Sequence, residues 1–253
     1  MGGKYYHQPD RTAKNMKLFL MLDYDGTLTP IVENPQRAVL SAPRKKLLKR
    51  LARHPEIKLA IISGRKLSVV KRLAGIRNII YVGNHGFEIL ASGKHWVHPA
   101  AKKTLPLLKK IKAELKNKLH YRGLLIEDKG LTLSVHYRSL AMSAIHAFKR
   151  DFKLALKPWR RAIKITTGKK IFDVRPPADW DKGKAVRWLI KNLKLQKYAP
   201  VYIGDDKTDE DAFRALKGVG FSIKVGFGGG SLVDGHLANV AAVYRFLLCL
   251  VDK

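Results

Sequence analysis

The sequence predicts an α/β protein built on a mainly parallel sheet, with a smaller α/β module inserted midway. Apolar strand-like runs alternate with helical segments at both ends of the chain, which is the rhythm of a parallel sheet. Between 93 and 174 that rhythm gives way to strands that follow one another directly. Three apolar runs near the expected sheet end in polar clusters: LFLML into DYDGT, KLAII into SGR, and PVYI into GDDKTDED.

The first strand is expected at 18–22, an unbroken apolar run suited to burial on both faces. A helix follows Ser41-Ala42-Pro43, where Ser41 can cap and Pro43 fits an early helical position. The pattern then predicts a strand at 58–62, a helix at 66–73 and a strand at 78–82. In the inserted module it predicts an amphipathic basic helix over 99–119. Strands at 123–128 and 132–137 should turn at Lys129-Gly130. A helix over 141–156 and strands at 162–166 and 170–174, turned at Thr167-Gly168, complete the module. The alternating rhythm resumes with a helix over 181–192, a strand at 200–203, a helix over 209–216 and a strand at 219–225. A glycine-rich loop, GFGGG at 226–230, leads to a last helix over 235–250. The expected organisation is a polar tail over 1–15, a core from 16–92 and 175–253, and the inserted module over 93–174.

The chain has 253 residues, enough for one large domain or two small ones. No apolar run reaches the roughly 18 residues of a membrane span. The opening MGGKYYHQPDRTAKNM lacks an apolar signal core, and Tyr6 stands where a myristoylation signal has Ser or Thr. The expected compartment is the cytoplasm. The one cysteine, Cys249, lies in FLLCLV and reads as buried filler. The net charge of +30 attracts anions, phosphorylated metabolites and nucleic acid alike. Solvated lysine-rich helix faces account for most of it, and no zinc-finger spacing or aromatic RNA-binding signature accompanies it.

In open α/β sheets, ligands bind beyond the carboxyl ends of the strands, so the three polar clusters are expected to meet. Asp23 and Asp25, with Asp205, Asp206 and Asp209, make a dense acidic set in a basic chain. Carboxylates this crowded repel unless a cation or a shared proton intervenes, and all-oxygen donors suit Mg²⁺. Asp23 can attack phosphorus, and Asp25 can protonate the departing oxygen and then activate water. Gly26 lets the loop bend sharply toward a phosphate. Ser63 can donate to a phosphoryl oxygen, and Lys182 in DKGKA can neutralise charge. Taken alone, Ser63-Gly64 is also an ordinary turn-and-cap pair, and a lone lysine here is a solvated one.

The order of these motifs resembles the haloacid dehalogenase (HAD) superfamily of phosphohydrolases. DYDGT is similar to its first motif, Ser63 in IISGR to its second, Lys182 in DKGKA to its third and GDDKTDED to its fourth. The resemblance implies a Rossmann-like core with an α/β cap, Asp23 as nucleophile and Asp25 as general acid and base. It implies Mg²⁺ held by Asp23, the main-chain carbonyl of Asp25, and Asp205, supported by Asp206 and Asp209. Within the superfamily the chain resembles the trehalose-6-phosphate phosphatases, through DYDGTLTPIVENPQRAVLS, GNHGFE, EDKGLTLSVHYR, GKKIFDVRP, WDKGKA and GDDKTDEDAF.

That closer resemblance implies trehalose 6-phosphate as substrate. It offers Arg65, Asn84, His85, Glu88, Glu127, Lys129, His136, Arg138 and Asp173 as substrate contacts, and a trehalose-6-phosphate synthase as an associated protein. Each contact residue has a plainer reading. His136 and Arg138 alternate on the expected strand and can face solvent, Lys129 can serve its turn, and His85 can be a core histidine. Asp173 stands where the family more often has Glu, which shortens its reach toward a sugar. Two other functions are consistent with the sequence: hydrolysis of another sugar phosphate, such as sucrose phosphate or mannosyl-phosphoglycerate, and nucleic-acid binding on the same scaffold. The acidic cluster argues against nucleic acid, because it would repel a phosphate backbone.

Overall fold

A computed structural model describes residues 16–32, 35–168, 170–227 and 233–251. The expected tail over 1–15 and much of the glycine-rich loop lie outside these. The chain divides into two compact units, one running to His95 and resuming at Asp181, the other spanning Trp96–Trp180. Among the described residues, no helix is long and apolar enough to cross a membrane.

The larger unit is organised by β1 (Leu18–Asp23), β2 (Ile57–Ile62), β3 (Ile80–Gly83), β4 (Glu88–Ala91), β5 (Lys94–Val97), β10 (Ala199–Gly204), β11 (Phe221–Val225) and β12 (Gly235–Leu237), in the order β12-β11-β10-β1-β2-β3-β4-β5. Pairing is parallel from β12 to β3 and antiparallel from β3 to β4. Helices α1 (Ala42–Arg53), α2 (Leu67–Ala74) and α7 (Val240–Cys249) cover one face, meeting Leu20, Leu22, Leu59, Ile61 and Ile203. The opposite face buries Phe19, Met21, Ala60, Ile62 and Tyr202, with α6 (Glu210–Leu216) against β10 and β11 and α5 (Lys182–Asn192) against α6. Coverage on both faces explains why the central strands are unbroken apolar runs. Truncating a side chain such as Leu22 to Ala in so enclosed a layer costs about 2–5 kcal/mol.

The smaller unit has its own sheet, β6 (Leu125–Asp128), β7 (Leu133–His136), β9 (Ile171–Arg175) and β8 (Lys164–Gly168), in that spatial order and antiparallel throughout. Helices α3 (Pro99–Lys118) and α4 (Ile145–Leu156) bury Leu108, Ile111, Leu115, Phe148 and Phe152 against Leu133, Val135, Phe172 and Val174. Alternation along the strands sends Glu127, Ser134, His136 and Asp173 to the other face. This unit is shifted from the expected 93–174. Trp96 and Trp180 have ring centroids 5.7 Å apart, and His98 lies 4.7 Å from Trp180, so both ends of the unit are held in one aromatic cluster.

Several elements differ from the sequence expectation. The hairpin β4–β5 has no counterpart in it; the turn residues Ser92 and Gly93 both have positive φ, 48° and 76°, as primed hairpin turns require. The expected helix over 235–250 opens instead with β12, and α7 starts later. The side chain of Asn239 caps α7 by accepting from the Ala242 amide at 3.0 Å. The Ser41 side chain makes no cap bond to α1. The β6–β7 connection occupies 129–132, closed by the Lys129 amide donating to the Thr132 carbonyl at 3.0 Å, rather than two residues. β8 continues through Gly168, so its reversal falls later than Thr167-Gly168. Cys249 is exposed. It lies about 200° around α7 from buried Leu247, at roughly 100° per residue.

Candidate active site

Strand register brings the expected motifs together. Leu22 pairs with Ile203 and Asp23 with Ile62, so the residues following β1, β2 and β10 leave the same edge of the sheet. Asp23 ends β1 and is 4% exposed. The Lys182 ammonium, at the start of α5, donates to Asp23 Oδ1 at 2.6 Å and to Asp209 Oδ1 at 2.6 Å. Asp181 caps that helix by accepting from the Lys184 amide at 2.8 Å, which fixes where the lysine emerges. Carboxylate oxygens of Asp23, Asp205 and Asp209 all lie within 4.8 Å of one another.

Gly26 turns the loop after Asp25 at φ +85°, and a Cβ there would collide with the Asp205 carboxylate. Thr27 Oγ1 donates to Asp205 Oδ1 at 3.3 Å. Asp209 is fully buried and takes four donors. Lys182 Nζ and Tyr202 Oη reach Oδ1, each at 2.6 Å, and the amides of Asp205 and Asp206 reach Oδ2 at 3.1 and 2.9 Å. Asp206 itself closes a capping box with Asp209, so its side chain serves the helix start.

Charge is crowded here. Burial raises Asp23 well above the usual carboxylate range; Lys182 opposes this, while Asp209 and Asp205 add to it. One ammonium shared by two carboxylates does not offset both burial and a third carboxylate. Asp205 is pushed up to about 7, by burial first and then by Asp209, against the pull of Lys182. Burial works against the Lys182 charge, but Asp209 and Asp23 outweigh it and hold the ammonium protonated. A set of oxygen donors this dense, with a deficit of positive charge, fits a hard divalent cation.

Asp25 points to a different partner. Arg65 donates to it from Nε at 2.6 Å and from Nη2 at 2.5 Å, a two-pronged ion pair. Ser63 Oγ accepts from the Arg65 amide at 3.2 Å. The turn at Asn84–Gly86 holds this loop from below. The Asn84 amide donates to the Arg65 carbonyl at 2.7 Å and the His85 amide to the Ser63 carbonyl at 3.1 Å. Asn84, His85 and Gly86 all have positive φ, 51°, 55° and 105°, and the His85 ring occupies the space a Cβ on Gly64 would need. Asn84 Nδ2 donates to Glu88 Oε2 at 3.1 Å, and the Leu67 amide reaches the same oxygen at 3.4 Å. In this structure Asn84 and Glu88 brace the Ser63–Arg65 loop.

The remaining sequence candidates sit in the smaller unit. His136 lies 2.9 Å from Glu127 Oε2 on the polar sheet face. Asp173 accepts from Ser134 Oγ, and Lys129 Nζ lies 3.8 Å from its Oδ1. Lys129 is buried beside its loop. β7 ends at His136, so Arg138 does not alternate with it on a strand but lies exposed beyond it. Sequence reasoning missed the Arg65 fork on Asp25 and the parts played by Thr27 and Tyr202. Tyr202 carried a usable signal: a tyrosine inside a doubly covered strand needs an acceptor for its hydroxyl.

A family model described as trehalose-phosphatase matches residues 21–231. Trehalose-phosphate phosphatase of Mycobacterium marinum is 37% identical over 211 residues, covering 81% of this chain and 53% of that protein. The chain thus spans about half the length of the curated relatives it matches. The structure of the C. albicans trehalose-6-phosphate phosphatase C-terminal domain has a TM-score of 0.80 at 25% identity, covering 94% of this chain and 93% of that one. A trehalose-6-phosphate phosphatase related protein has a TM-score of 0.82 at 24% identity, covering 92% and 97%; that likeness is one of fold.

Proposed function

The chain belongs to the trehalose-phosphatase family, and from that premise we propose that it hydrolyses trehalose 6-phosphate to trehalose and phosphate through an aspartyl-phosphate on Asp23. The observation that carries this reading is the buried Asp23–Lys182–Asp209 contact, 2.6 Å on each side of the ammonium, with Asp205 beside it. Asp23, Asp205 and the carbonyl of Asp25 would hold Mg²⁺, with Asp209 in support. When bound, the ion supplies positive charge for phosphoryl oxygens and relieves the crowding of carboxylates.

An oxygen of Asp23 forms a bond to phosphorus as the bond to the sugar oxygen breaks. Asp25 gives that departing oxygen its proton. A water then attacks phosphorus and passes a proton to Asp25, the Asp23–phosphorus bond breaks, and inorganic phosphate leaves. Arg65 grips Asp25 in its ionised form, with both oxygens accepting, which is the form left after the leaving oxygen is protonated and the one that takes the proton from water. Ser63 Oγ keeps its own proton to donate to a phosphoryl oxygen, and Lys182 sets the position of Asp23. Both depend on placement before the reaction starts.

The test is phosphate release from trehalose 6-phosphate, glucose 6-phosphate and sucrose 6-phosphate, each with and without Mg²⁺. The expected result is Mg²⁺-dependent release with trehalose 6-phosphate preferred in kcat/KM. A tenfold preference for either other sugar would replace the substrate and keep the chemistry.

A further inference from the structure

We propose that Tyr202 is a positioning residue for this site, acting through Asp209 on both Lys182 and the turn that carries Asp205. The inference rests on the phosphatase reading for its kinetic part and on the geometry alone for its metal-binding part. Tyr202 lies in the middle of β10, fully buried, on the sheet face that also buries Phe19, Met21, Ala60 and Ile62. A phenolic hydroxyl in such a place is costly unless it is bonded. Its Oη donates to Asp209 Oδ1 at 2.6 Å. The ring packs edge-on to Phe213 of α6, with centroids 5.8 Å apart and planes at 78°, while the bond to Asp209 sets where the hydroxyl points.

Asp209 is therefore held at both ends. Oδ1 takes Tyr202 and Lys182, and Oδ2 takes the amides of Asp205 and Asp206. Without the hydroxyl, Lys182 becomes the only side chain among the described residues holding Oδ1. The carboxylate can then tilt, carrying Lys182 away from Asp23 and loosening the turn at Asp205. Tyr202 touches no reacting atom on this reading. Its effect reaches the nucleophile and the metal ligand through one shared carboxylate, as supporting residues around metal sites do.

The experiment compares Tyr202→Phe, which keeps the ring, with Phe213→Leu, which disturbs the same packing but keeps the hydroxyl. Mg²⁺ affinity is measured by calorimetric titration without any sugar phosphate, and kcat and KM on the preferred substrate separately. Tyr202→Phe should weaken Mg²⁺ binding on the order of tenfold and lower kcat by a similar factor with KM within about twofold. Phe213→Leu should lower the melting temperature while leaving Mg²⁺ affinity in place. The proposal is overturned if Tyr202→Phe loses melting temperature alone, or if Phe213→Leu weakens Mg²⁺ binding equally. A protein that hydrolyses none of the sugar phosphates but still shows the Tyr202-specific loss of Mg²⁺ affinity overturns the proposed function and supports the positioning role.

Discussion

Arg65 grips Asp25 through two hydrogen bonds, from Nε at 2.6 Å and Nη2 at 2.5 Å, so the carboxylate assigned to proton transfer is fixed by a planar fork. Lysine supplies the same charge from a single point and cannot reproduce that geometry. Arg65→Lys should therefore lower kcat by roughly tenfold to a hundredfold, part of the roughly 10²–10⁴-fold that a well-placed general acid–base group contributes. Steady-state kinetics check this, and wild-type kcat in the variant would show that the fork is dispensable.

Replacing Asp23 by Asn removes the attacking oxygen while preserving shape. Turnover should fall on the order of 10⁴-fold or more, and no acid-stable phosphoprotein should accumulate after rapid quenching with substrate. Labelled phosphate on Asp23→Asn would place the covalent step elsewhere.

Lys182→Met leaves two buried carboxylates facing each other without their shared cation. Breaking a buried pair in this way costs about 3–5 kcal/mol, which chemical denaturation in metal-free buffer should detect. A change under about 1 kcal/mol would mean that the site relaxes or hydrates when the ammonium is lost.

The acidity of Asp205 gives a pH dependence with a definite sign. Its folded value is about 7, against an ordinary value of 3.8. Between these values the folded chain binds more protons than the unfolded chain, so in metal-free buffer stability falls as pH rises through this window. Mg²⁺ requires the carboxylate, so its affinity should rise over the same range. Denaturant titrations in chelator at about pH 5 and about pH 8, paired with Mg²⁺ titrations, test both directions. Metal-free stability that climbs between those pH values would contradict the assignment.

Gly26→Ala should disable the site without touching a reactive group. The added methyl group meets the Asp205 carboxylate and sits on a backbone at φ +85° that side chains resist. Mg²⁺ affinity and kcat should drop together, while the far-ultraviolet circular dichroism stays unchanged. Unaltered Mg²⁺ affinity would show that Asp205 can move aside.

The central sheet and its polar edge were readable because the physics repeats along the chain: apolar runs covered on both faces, each ending in a carboxylate or serine cluster. Parallel register then forces Asp23, Ser63 and Asp205 toward one edge. The short elements were harder. β12 is three residues, GHL, with no periodicity to separate it from the helix that follows, and the turn at Ser92-Gly93 lacks the Asn-Gly signature. Cys249 misled because an apolar neighbourhood in sequence says little about which side of a helix a residue occupies. The Arg65–Asp25 pair spans two loops, and neither loop's pattern names its partner.

The left-handed turn at Asn84–Gly86 restricts how this chain can drift. Asn and His tolerate that backbone region better than most residues, and β-branched side chains tolerate it worst. Substitutions at 84 and 85 are thus filtered by backbone shape before any effect on chemistry is felt. Random mutagenesis should recover few active clones with Val, Ile or Thr at either position, a gap in sequence space drawn by two torsion angles.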